Sequence, residues 1–118
     1  MSITVGIIRE LFRHLQAWES LLESDGLDEL HNNGETWHIA DVQYLYRKAQ
    51  ELLPPQQRRA IQLCLYENVK ESEAAKRMGV SETNPVAAYA TSGLENLIVM
   101  IREGRLPGFR EESLEEAS

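Results

Sequence analysis

The chain of 118 residues is predicted to be all-α, with about five helices and no sheet. Three observations carry that expectation. Apolar residues recur at three- and four-residue intervals over most of the length. Prolines and asparagines fall at the positions where helices open or stop. No strand-like alternation is evident between them. A chain this long can also bury a core without disulfides or metals. The single cysteine, Cys64, has no partner for an internal disulfide; among Ile61, Leu63 and Leu65 it reads as a small apolar core residue.

Residues 3–23 place Ile7, Ile8, Leu11, Leu15, Trp18 and Leu22 on one helical stripe. That stripe is richer than a small three-helix core needs, so it either caps the core or forms a homodimer contact. Residues 24–35 carry two glycines, two asparagines and several acids, which predicts a loop. A second helix is expected from Thr36, an N-cap type, with Val42, Leu45, Tyr46, Ala49 and Leu52 or Leu53 on its inner face. Pro54 and Pro55 end it, since proline removes a donor and restricts the residue before it.

Pro55 suits the first turn of the third helix, which runs to Tyr66 or Glu67. Asn68 then takes the place where a left-handed residue stops a helix. The fourth helix is short, from about Glu71 to Met78, with Gly79 as its terminator. The fifth opens at Pro85 behind the N-cap types Ser81, Thr83 and Asn84. It continues with Val86, Tyr89, Ala90, Leu94, Leu97, Ile98 and Ile101 inward, and closes at Gly104 and Pro107. These elements divide the chain into an N-terminal helix and acidic loop (1–35), a helical domain (36–104) and an acidic tail expected to be disordered (105–118). Leu11, Leu15, Trp18, Val42, Leu45, Ala49, Ile61, Leu65, Ala75, Val80, Val86, Leu94 and Leu97 are the expected core.

The net charge of −7 argues against a protein that coats nucleic acid indiscriminately. Its distribution is uneven: residues 1–41 carry −6, residues 42–79 carry +3 and residues 80–118 carry −4. No long apolar run is present, and the N-terminus lacks the basic-then-apolar order of a signal peptide, so a cytoplasmic protein is expected. No catalytic constellation, phosphate-binding loop or metal-ligand spacing is visible, so neither an enzyme nor a cofactor is expected. His14, His31 and His38 show no spacing for a shared metal.

The stretch from Leu53 to Ser81 has the frame of a helix-turn-helix. It opens with Leu53-Pro54-Pro55 and the pair Gln57-Arg58. Apolar residues follow at Ile61, Leu63, Leu65 and Tyr66, with an acid at Glu67, a turn residue at Asn68 and Val69 beyond it. Glu73, Ala75 and the run Met78-Gly79-Val80-Ser81 complete the pattern. This stretch resembles the fourth conserved region of bacterial sigma factors, without a gap. The resemblance extends to about residue 101, with one inserted residue near Thr83–Pro85. It implies a helix-turn-helix whose last helix enters the major groove, and contact with RNA polymerase. The residues upstream leave no room for a promoter-melting region, so a free-standing domain is expected rather than a complete sigma factor.

On that reading double-stranded DNA is the first partner. Arg58, Arg59, Lys70, Lys76 and Arg77 would hold phosphates, which position a protein without specifying sequence. Asn84, Tyr89, Thr91 and Ser92 would face base edges. The fifth helix has no arginine or lysine from Pro85 to Ile101, so its own side chains cannot read guanine in the bidentate manner. A second reading is therefore a protein module that docks on RNA polymerase or a sigma factor without reading DNA. A nucleic-acid packaging subunit, or a frame kept only as structure, are the remaining alternatives.

Overall fold

The computed structural model describes residues 3–32, 34–81, 84–107 and 109. Five helices dominate: α1 (Val5–Asp25), α2 (Ile39–Leu52), α3 (Pro55–Ala60), α4 (Glu71–Met78) and α5 (Asn84–Arg102). α3 continues without a break into a π-helical segment, Ile61–Tyr66. The all-α class holds. One local expectation fails, because two short strands, β1 (Glu29–Asn32) and β2 (Glu35–His38), pair in antiparallel fashion. Thr36 therefore lies in a strand, where its hydroxyl meets the His31 ring at 3.0 Å, and does not cap α2. His38 stands at that N-cap and makes no capping bond through its side chain.

Local chemistry sets the other boundaries. Thr4 caps α1, its hydroxyl accepting from the Ile7 amide at 3.2 Å. Gly26 ends α1 in the left-handed conformation, at φ 69°. Pro55 opens α3, and Asn68, with φ 54°, turns the chain after the π-helical segment. α4 has Glu71 and Glu73 in its first turn and Lys76 and Arg77 in its last, each sign matched to the helix dipole. Gly79 closes it at φ 73°. α5 begins at Asn84, one residue earlier than expected; Thr83 lies outside the described residues.

A single apolar cluster unites the elements. Ile8, Leu11, Phe12 and Leu15 of α1 are fully buried within it, so the α1 stripe caps the chain's own core. Among the large apolar residues of α1, only Leu21, near its end, stays substantially open. Leu53 is buried and Leu52 is exposed, which settles the last turn of α2. Trp18 and Val80 are half-buried, short of the burial expected, because each sits at the cluster's rim. Cys64 is likewise half-buried, and burial pushes its thiol pKa up, reinforced by Glu71. Leu106 and Phe109 lie in the core rather than in a tail, with Phe109 stacked on Trp37 of β2 at 6.4 Å. The rest of the expected disordered tail, from Arg110, lies outside the described residues.

A polar latch ties α1 to the helices beneath it. Glu19 accepts from the Tyr66 hydroxyl at 2.5 Å and from the Gln43 amide at 2.8 Å. The Tyr66 ring stacks on Tyr46 at 4.5 Å, and Tyr46 meets Phe12 edge-on at 5.4 Å. The hydrogen bond to Glu19, then burial and the charges of Glu19 and Glu67, push the Tyr66 pKa up to about 12. Burial raises Tyr46 as well. A tyrosine raised above its ordinary value near 10 contributes stability that is complete below that value and is lost as pH rises through the folded value. Urea midpoints should therefore fall between about pH 10 and about pH 12. Tyr66→Phe should shallow that fall and lower stability at neutral pH. An unchanged alkaline slope in the variant would remove the latch from the explanation.

Candidate nucleic-acid interface

α3, α4 and α5 make the trihelical frame, and α5 passes close to α3 and Ile61 at Gly93. A Cβ built there would lie 2.7 Å from Ile61 Cδ1, with Gln57 Cβ and Leu53 Cδ1 each at 3.3 Å. The missing side chain lets α5 approach α3 closely. A side-chain bond from Asn96 to Gln57, at 2.9 Å, marks the same seam.

Burial along α5 defines its open face. Val86, Ala90, Gly93, Leu94 and Leu97 point inward, whereas Ala88, Ser92, Glu95 and Val99 share the exposed side. Of the four residues expected to face base edges, Ser92 alone is fully on this open side among those whose side chains are described. Tyr89 is half-buried against the core. Thr91 is half-buried and turned towards α1, its hydroxyl accepting from Arg9 Nη2 at 3.0 Å. Asn84 opens α5, but its side chain lies outside the described residues.

The expected phosphate-binding cations fall into two groups. Arg58, Arg59 and Arg77 line one groove of about 440 Å³ together with Gln50, Gln62 and Met78. Arg58 is partly structural there. It donates to the Gln50 backbone carbonyl at 3.3 Å, and the Gln50 side-chain amide donates to the Arg58 backbone carbonyl at 3.0 Å. These paired bonds tie the end of α2 to α3. Arg59 bonds Gln62 at 3.4 Å, and Arg77 is paired with Glu73 at 3.3 Å and Glu67 at 3.9 Å. Lys70 and Lys76 are exposed at opposite ends of α4 and form no ion pair among the described residues.

A second groove, of about 520 Å³, runs between α1, the start of α4 and the first half of α5. Arg9, Arg13, Cys64, Glu71, Ala87 and Thr91 lie along it. Sequence reasoning did not bring Arg9 to this groove. It stands in the most acidic third of the chain, and its contact with Thr91 spans 82 positions. No helix among the described residues is long and apolar enough to cross a membrane.

Residues 45–84 match the family model described as sigma-70, region 4. No curated protein and no solved structure matches the chain. The matched segment runs from the middle of α2 to the first residue of α5, so it contains α3, the turn at Asn68, α4 and the turn at Gly79. The gapless run of turn residues and apolar positions is thus joined by a helical frame of the expected order. Residues 45–84 therefore carry a sigma-70 region-four-like helix-turn-helix.

Proposed function

We propose that the protein is a sequence-specific DNA-binding transcriptional regulator that uses this helix-turn-helix to read duplex DNA. The observation that carries the reading is the pairing of an uncovered α5 face with cations on the neighbouring helices. Ala88 and Ser92 are small and exposed, so the backbone of α5 can approach a groove floor closely. Arg59, Lys70 and Lys76 stand exposed on α3 and α4, where phosphates flanking the groove would be held. Arg58 and Arg77 add charge on α3 and α4 while also holding helices together. On this reading Ser92 contributes a polar base contact, and Asn84 and Tyr89 act at the edge of the interface.

One observation favours a second reading. The exposed side of α5 carries Glu95 and, up to Ile101, no cation of its own. A face of that kind suits a protein partner, and RNA polymerase or a sigma factor is then the partner implied. Selection from random duplex DNA with the purified protein separates the two. Enrichment of one motif supports the regulator. Absence of DNA binding even at low salt sinks it, and recovery of RNA polymerase in a pull-down would then establish the docking module.

A further inference from the structure

We propose that Arg9, on the N-terminal helix, is a DNA-contact residue that supplies the positive charge α5 lacks. The proposal rests on the DNA-binding reading above and deepens it. α5 offers no arginine or lysine along the half that would enter a groove, yet a guanidinium is nevertheless fixed against it. Arg9 Nη2 donates to Thr91 Oγ1 at 3.0 Å, and Thr91 sits midway along the helix. The buried anchors Ile8, Leu11 and Phe12 lie immediately beside Arg9 in α1. Its backbone is therefore held rigidly relative to α5, and the hydroxyl bond orients the side chain.

Helical geometry places this guanidinium at the rim of the open face. Thr91 and Ser92 are successive residues, about 100° apart around the axis. Ser92 is exposed and Thr91 is half-buried against α1, so Arg9 borders the face that Ala88 and Ser92 present. A helix seated in a major groove has sugar-phosphate backbone along its flanks, which is where a cation at the rim would act. Arg9 is also electrostatically available. It forms no ion pair among the described residues, unlike Arg13 one turn on, which is held by Glu10 at 3.5 Å. A guanidinium has five donors, so the bond to Thr91 leaves others for a phosphate. The carboxylates facing the same groove, Glu10 and Glu71, lower its net charge. They confine the attraction to the guanidinium itself and do not spread it over a broad basic surface.

The test measures binding of the full chain to a fluorescently labelled duplex of mixed sequence, by anisotropy, across a KCl titration. Arg9→Gln keeps an amide donor for Thr91 and removes the charge. It should weaken binding on the order of fivefold to tenfold at about 0.1 M salt, and reduce the slope of log K against log salt by about one. Arg9→Lys should restore the slope. Thermal melts of both variants show whether the fold is intact. Wild-type slope and affinity in Arg9→Gln, with binding still sensitive to reversal of Arg59, would overturn the role of Arg9 and leave the regulator reading standing. Wild-type protein that binds no duplex at low salt would overturn both.

Discussion

Gly93→Val is expected to destabilise the protein by about 3 kcal/mol or more, the upper range for overpacking a well-filled core. The first added carbon would lie 2.7 Å from Ile61 Cδ1 and 3.3 Å from Gln57 Cβ. Neither neighbour has an easy escape. Ile61 is fully buried and Leu53 almost so, and the Gln57 carbon is fixed to its backbone. Valine then adds two methyl groups to the same seam, forcing α5 away from α3. The gain in helix propensity from replacing glycine, about 1 kcal/mol at most, is smaller than the clash. Melting temperature should fall by roughly 10 °C or more for a domain of this size. Gly6→Ala is the matched control. Its only near neighbour among the described residues is Thr4 Oγ1 at 3.8 Å, and it sits exposed in the first turn of α1. That change should leave the melt unchanged or raise it slightly. A Gly93→Val protein that melts like the wild type would refute the close α3–α5 approach.

The features legible in the sequence were those encoded within a few residues. Pro55, Asn68 and Gly79 act through their own φ angles, so their places as helix start and stops could be read directly. The inward stripes of α2 and α5 were legible for the same reason, since helical period is local. The strand pair carried a readable signal as well. Asn33-Gly34 is a turn pair, and Thr36 and Trp37 favour strands. The surrounding acids and glycines made the segment look like a plain loop, and four-residue strands are too short to display alternation convincingly. Phe12 went unnoticed because it widens the α1 stripe instead of repeating it. Phe109 is buried against Trp37, far back in the chain. At the interface, the basic character of segment 42–79 was legible from composition, but the orientation of Thr91 was not. Only the tertiary fold brings α1 to α5, and with it the bond that turns Thr91 away from the open face.

Reversing Arg59 and Lys76 together is expected to weaken DNA binding by about a hundredfold at moderate salt, while leaving the fold intact. The two residues are chosen because they are exposed and have no carboxylate partner among the described residues. Arg58 and Arg77 are poorer probes. Arg58 ties α2 to α3 through Gln50, and Arg77 is paired with Glu73 and Glu67, so changing either mixes stability with binding. Losing two phosphate contacts should lower the slope of log K against log salt by about two, and the new carboxylates would add repulsion. Because phosphates are common to every duplex, the loss should be similar for all sequences. Ser92→Ala provides the contrast. It removes a hydroxyl from the open face of α5 without touching charge, so the salt slope should stay the same. The preferred sequence should instead relax at one position, at a cost on the order of 1–3 kcal/mol against the selected site. Anisotropy titrations of both variants, on the selected site and on a scrambled one, separate the effects. If reversal of Arg59 and Lys76 leaves both affinity and salt slope unchanged, α3 and α4 do not hold the backbone. The cations of segment 42–79 would then be a solvated surface, and the uncovered face of α5 would need a protein to fill it.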